Sequence, residues 1–329
     1  MDEDRIKMDR KIIAAWSSTV LICILSGVFL VGCPFEEPKE PEEMVIFAAN
    51  EEFIVEAEGL ILLEENYNLT FDQVHEMAVG LTHEALRAED VEAAVGFTTD
   101  GKIKELELTK LEDDLEVFPA SNPAPVIREE VLEQYPQIKS IMAEIASQLD
   151  NQAMIRLNYR ADLEEKEPAG VARDWLLEKK LITEEARMPV EGEPVIVSSK
   201  EFMEQQILGQ IAIIALENAG ISVEEQKPIA GTGAIRRSIM LDNIDLYWEY
   251  TGAVWHDIYE KEEIISDPDQ LYQRVAEKDT EKGLIWLDKA PLNKTYTIMM
   301  RREHARELGI TTISEFAQWV EQVRAGELQ

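Results

Sequence analysis

The sequence predicts an α/β protein of about two domains with mainly parallel sheets. Two observations carry this. The chain has 329 residues, and 45% of them are apolar, enough for ordinary globular cores and about twice the usual size of one domain. Along it, short β-branched or apolar runs alternate with amphipathic helical patterns, the order that builds parallel sheets through helical crossovers.

Val45 to Ala48 reads as the first strand, and Val91 to Phe97 as another. Val195 to Val197 is a third, followed at once by Ser198, Ser199 and Lys200 and then a long helix. In that helix Phe202, Ile207, Leu208, Ile211, Ile214, Ala215 and Leu216 recur at helical spacing, and Gly220 ends it. Gly231-Thr232-Gly233 opens a further helix, and Ile244 to Tyr250 returns as a strand. Tyr296 to Met300 is a strand leading into a helix over 303–308, and Thr312 or Ser314 caps the last helix. Residues 183–194 have no apolar period and read as a linker. There is no internal repeat.

Composition excludes several functions. With 66 acidic and 32 basic residues the net charge is −34, which repels nucleic-acid phosphates and anionic lipid headgroups alike. Cys23 and Cys33, the two cysteines, build neither a disulfide framework nor a four-thiolate zinc site.

The first 33 residues read as an export signal. Arg5, Lys7, Arg10 and Lys11 precede an apolar run from Val20 to Val31, of signal-peptide length and short for a membrane span. Leu30-Val31-Gly32-Cys33 resembles a bacterial lipobox, in which the Cys33 thiol becomes the lipid attachment point after cleavage. The other reading is an uncleaved anchor beginning at Ile12. Both leave the body outside the cytoplasm on a membrane tether. Cleavage removes four acids and four bases, so the charge of −34 belongs to the exported body. Residues 34–43, rich in proline and glutamate, form an extended tether.

In open α/β sheets, ligands bind beyond the carboxyl ends of strands, where helix N-termini present free N–H groups. Four such ends carry polar or aromatic residues: Ser199-Lys200, Tyr250-Thr251-Gly252, Asn293 to Tyr296, and Phe97 to Gly101. Singly, a tyrosine there is more often a rim packing residue and a lysine more often simply solvated.

Together these segments resemble one family. Val195-Ile-Val-Ser-Ser-Lys200-Glu-Phe-Met-Glu-Gln, Gly231-Thr-Gly, Ile244-Asp-Leu-Tyr-Trp-Glu-Tyr250-Thr-Gly and Leu292-Asn-Lys-Thr-Tyr296 carry the resemblance. So do Gly80-Leu-Thr-His83, Phe97-Thr-Thr-Asp-Gly, Leu111-Glu-Asp-Asp and Leu157-Asn-Tyr. The family is that of the substrate-binding lipoproteins of osmoprotectant importers of the ABC type, which take up glycine betaine, choline and carnitine. The resemblance spans Met44 to Gln322.

The order of the segments differs from the family's. The matched order runs from 195 to about 325, then from 44 to about 182, so the chain looks circularly permuted, with 183–194 joining the family's old termini. A chimera of two unrelated domains is the alternative. The resemblance implies a two-lobed type II periplasmic-binding-protein fold, permuted. One lobe is assembled from 44–105 with 294–329, and the other from 106–293.

It also implies a site. Family members hold a quaternary ammonium head in a cage of aromatic rings between the lobes, by cation–π attraction. Carried over by position, Tyr250 and Tyr296 are cage rings, Phe97 stands at a third position and His83 at the fourth. Neutral imidazole offers a π face, whereas the protonated ring repels a cation. Thr232 lies in the matched Gly-Thr-Gly, and Lys200 matches a position that contacts the betaine carboxylate. Where some members carry an arginine for that carboxylate, this chain has Glu56, which either disfavours a carboxylate ligand relative to choline or points to solvent. Trp248 and Trp255 flank the Tyr250 motif as substitute rings or as packing.

The resemblance thus implies a lipid-anchored, monomeric binding protein that delivers its ligand to an ABC permease, with no cofactor. A ligand sensor docking on a membrane receptor keeps the same fold. An enzyme finds little support: His75, His83, His256 and His304 show no metal-ligand spacing, and no serine sits in a nucleophile elbow.

Overall fold

The computed structural model describes residues 44–55, 59–261 and 263–326. Ten strands form two five-stranded sheets. They are β1 Ile46–Ala49, β2 Gln73–Glu76, β3 Ala93–Phe97, β4 Leu108–Lys110, β5 Pro123–Arg128, β6 Val195–Val197, β7 Val223–Glu225, β8 Leu246–Tyr250, β9 Leu284–Trp286 and β10 Tyr296–Arg301. The first sheet has the order β2-β1-β3-β10-β4 and the second β7-β6-β8-β5-β9. Each sheet is packed by helices into its own α/β lobe.

The expected strands are present with small shifts of their ends, but the expectation of mainly parallel sheets is corrected. Four strand pairs are parallel, β1 with β2 and β3, and β6 with β7 and β8. Four are antiparallel, β10 with β3 and β4, and β5 with β8 and β9. The reason is the crossing of the chain between lobes. β5 and β10 are the strands it enters after each crossing, and each runs against the parallel set it joins.

β5 contains Pro123 and Pro125 and escapes sequence reading, because proline cannot donate within a sheet. The structure shows how it is accommodated. Both prolines face the side where only acceptors are needed: Pro125 O takes the Leu287 amide at 2.9 Å and Pro123 O the Ala290 amide at 2.8 Å.

The lobe boundary also differs from the expected break at 105. β4 pairs with β10 in the first sheet, and Leu111 and Phe118 are buried in that lobe's core with Phe47, Phe53 and Phe316. The chain leaves the first lobe after Phe118, since Ala120 packs with the second lobe. It returns through 290–295, between Ala290 in the second lobe's core and β10.

The long helix Met203–Asn218 buries Ile207, Leu208, Ile211, Ala212, Ala215 and Leu216 against the second sheet and helix Pro168–Glu178. A Leu208→Ala cavity there costs about 2–5 kcal/mol. Just beyond its end, Gly220 is required twice over. Its φ is +85°, and a Cβ there would lie 2.2 Å from Met188 O. Between Glu178 and Val195 no helix or strand forms, as the absence of apolar period over 183–194 implies. Thr312 caps the final helix Ile313–Ala325 in a capping box with Glu315.

The export signal, Cys33, the 34–43 tether and Glu56 lie outside the described residues. Among the described residues, no helix is long and apolar enough to cross a membrane.

Candidate functional site: a ring-lined cleft between the lobes

The two crossings lie side by side and are stitched together. Ser121 N donates to Asn293 Oδ1 at 2.6 Å, and Lys294 N donates to Ser121 O at 2.9 Å. Asn122 Nδ2 donates to Ala290 O at 3.2 Å and to Leu292 O at 2.7 Å. These bonds make the two crossings one paired hinge between the lobes.

The lobes meet across the cleft. Asn158, on helix Asn151–Asp162 of the second lobe, donates to Thr99 O of the first lobe at 2.9 Å. Beside it Gly101 lies so close that a Cβ would sit 2.5 Å from Tyr159 N. With a φ of −63°, Gly101 is not needed for its backbone conformation. It is needed because another backbone approaches it. The two lobes are in direct contact here.

The first lobe contributes one ring pair. Phe97 ends β3 and Tyr296 begins β10, and these two residues face each other in the antiparallel register. Register therefore stacks their rings, with centroids 5.1 Å apart and an interplanar angle of 18°. Phe53 packs edge-on behind Tyr296 at 5.0 Å.

The second lobe contributes the other pair. Tyr250 ends β8 and Phe202 caps helix Met203–Asn218, and their rings lie 6.2 Å apart at 27°. Behind them is a buried polar network. The Tyr250 hydroxyl donates to Glu204 Oε1, and Asn158 Nδ2 donates to Glu204 Oε2 at 2.8 Å. Burial and the Glu204 carboxylate hold the Tyr250 phenol well above its ordinary pKa, so it remains a donor. Asn158 thus joins Glu204 of its own lobe to Thr99 of the other.

Lys200 lies beside this wall, its ammonium 5.8 Å from the Tyr250 ring centroid, yet its charge is already matched. Its ammonium lies 2.5 Å from Glu249 Oε1 and 3.0 Å from Thr232 Oγ1, and Glu249 is fully buried. The same Glu249 oxygen accepts the Tyr250 amide at 2.7 Å. Thr232 therefore reaches the site through Lys200.

A second cation lies among the rings. The Lys294 ammonium is 3.6 Å from the Phe97 centroid and 5.2 Å from that of Phe202, touching both lobes. Phe97, Tyr296, Lys294 and hinge residues Pro119 to Ser121 line a cavity of about 160 Å³ with Gly252, Ala253, His256 and Asp257. It is smaller than the roughly 300 Å³ at which drug-sized pockets begin.

His83 is buried on helix Val79–Arg87, and its Nε2 is 3.0 Å from Asp100 Oδ2. The same carboxylate oxygen accepts the Phe97 amide at 2.8 Å, so His83 is tied to the ring wall through Asp100. Trp248 and Trp255 are core residues, packed in separate clusters of the second lobe. Nearby acids reinforce a negative field: partial desolvation and then repulsion from Asp100 and Glu204 raise the Asp162 carboxyl above its ordinary range. Among the described residues, no group of three or more His, Cys, Asp or Glu is arranged to hold a metal ion.

Glu204, Asn158, Phe202 and Lys294 all stand inside the motifs quoted above, yet sequence alone gives them no role. Their signal is the contact between distant segments, which no local pattern records.

A family model described as the substrate binding domain of ABC-type glycine betaine transport system matches residues 36–178 and 193–327. The chain belongs to that family. A glycine-betaine-binding protein of Pseudomonas aeruginosa is 35% identical over 149 residues, 45% of this chain and 48% of that protein. A carnitine transport binding protein of Listeria monocytogenes is 31% identical over 121 residues, 37% of this chain and 39% of that protein. The chain thus spans about half the length or less of these relatives. A solved glycine betaine/carnitine/choline ABC transporter structure shares 28% identity over 42% of this chain and 50% of that one, with a TM-score of 0.37. The two α/β lobes, each built on a five-stranded sheet, together form the substrate-binding domain that this family model describes.

Proposed function

We propose that the chain is an extracytoplasmic receptor that closes on a quaternary ammonium osmoprotectant and delivers it to an ABC permease. The observation that carries this is the pair of ring walls, Phe97–Tyr296 and Phe202–Tyr250, brought from different lobes to one cleft with an ammonium already against them. A methylated ammonium donates no N–H, so carboxylates gain little from it, while ring faces attract it without requiring a hydrogen bond. Behind the second wall, buried Glu204 accepts hydrogen bonds, among the described residues, only from the neutral Tyr250 and Asn158 and adds attraction for a cation in a partly dehydrated cleft.

Anchoring through the Cys33 thiol belongs to the same reading and rests on the lipobox resemblance. The permuted chain order belongs to it too. It is supported by the two matched stretches, which break at 179–192, where most of the joining linker lies.

The test is titration calorimetry of the full-length protein in detergent against glycine betaine, choline and carnitine. Saturable one-to-one heat with at least one of them is expected. A folded protein that gives no heat with any of the three overturns the specificity.

A further inference from the structure

We infer that Lys294 is a specificity-determining residue, an internal cation that lies against the ring faces and pairs with the carboxylate of a zwitterionic ligand. This rests on the quaternary-ammonium reading of the same cleft and deepens it by naming the ligand class, zwitterions over simple cations.

Three observations lead here. Lys200, the residue the motif assigns to a ligand carboxylate, is engaged by Glu249 and Thr232 inside the protein. Its ammonium answers a carboxylate that is fully buried, so turning to a ligand would strand Glu249 at high cost. Lys294 differs on each count. Among the described residues its ammonium has no carboxylate partner, and it is held only by the faces of Phe97 and Phe202. Its backbone is fixed by the Lys294 N to Ser121 O bond, whereas its side chain is long, flexible and half-buried.

The consequence is an exchange. At 3.6 Å the Lys294 ammonium occupies the Phe97 face, so a quaternary head reaches that face only when the lysine moves aside. No bond to a carboxylate has to be broken for it to do so. The displaced ammonium stays tethered within a side chain's length of the rings. Next to a simple cation it is repulsive. Next to a zwitterion it meets the ligand's own carboxylate and forms a charge-assisted hydrogen bond. The same residue thus excludes one class and rewards the other.

The experiment compares wild type, Lys294→Met and Lys294→Arg in the full-length protein. The probes are glycine betaine, which carries a carboxylate, and tetramethylammonium, which is the bare head. In Lys294→Met the glycine betaine affinity is expected to fall about tenfold and the tetramethylammonium affinity to rise about threefold. Lys294→Arg, which keeps the charge, is expected to keep the preference for the zwitterion. Melting curves verify folding, and Lys294→Gln is the substitute if the methionine variant is unstable. If both probes bind and their affinity ratio is unchanged in the folded variant, the role of Lys294 is overturned while the receptor reading stands. If neither probe binds wild type or variant, both fall together.

Discussion

The two walls of the cleft are built from the same pair of ring types and differ in what stands behind them. The first-lobe wall, Phe97 on Tyr296, is an outcome of strand register, backed by the apolar edge of Phe53. The second-lobe wall, Tyr250 with Phe202, is backed by ions, with Glu204 holding the phenol, Glu249 holding Lys200 and Asn158 reaching across to Thr99. Among the described residues, the first wall carries no buried charge that the loss of a ring would strand. The second cannot lose a charge without stranding its partner. On the proposed function, the first wall would offer a ring face to the ligand, and the second would tie that face to the contact between the lobes through Asn158.

The largest expected effect follows from that difference. Glu249→Ala leaves the Lys200 ammonium buried and unpaired, and the fold is expected to lose about 3–5 kcal/mol, read as a lowered unfolding midpoint. Tyr296→Ala, on the other wall, is expected to leave the midpoint much closer to wild type. Equal destabilisation by the two would erase the distinction.

Next in size is closure. Gly101→Ala places a methyl against the Tyr159 backbone only when the lobes are shut. The variant is expected to fold normally, to scatter X-rays as a more open molecule, and to lose roughly a hundredfold in ligand affinity. Wild-type scattering would show that the two lobes do not close at this contact.

Smaller again is the single ring. Tyr296→Ala is expected to weaken glycine betaine binding about tenfold, the scale of one desolvated cation–π face. Unchanged affinity in titration would remove the first wall from the site.

The smallest effect is at alkaline pH. The Tyr250 phenol holds its proton well above the ordinary value of 10.0, because burial and Glu204 disfavour the phenolate. The unfolded chain releases that proton near pH 10 while the folded chain retains it, so this contribution is intact below pH 10 and lost progressively above. Tyr250→Phe is expected to make the alkaline loss of stability shallower. A slope equal to wild type would mean that Tyr250 is not held by its carboxylate.

Much of the fold could be read from the residues alone, and the reasons are local. β6 stands out because Val195-Ile-Val is β-branched and bounded by proline and serine, and the Thr312 cap because its partner Glu315 is three residues away. β5 hides because two prolines argue against a strand, and the antiparallel half of each sheet hides because direction depends on where the chain crosses. In the site, Tyr250, Tyr296 and Phe97 are visible as aromatic residues at strand ends. The partners of Lys200 are not, because Glu249 and Thr232 are brought to it from 49 and 32 residues away by the fold. Lys294 reads as an ordinary solvated lysine until the hinge aims it at Phe97.

The central claim is that the two ring walls together hold a quaternary ammonium head. Its most direct test is calorimetric titration of glycine betaine into wild type and into the Tyr250→Ala/Tyr296→Ala double variant, with folding of both verified by melting. The account predicts saturable one-to-one binding to the wild type and none detectable in the variant. Equal binding by both proteins would contradict it.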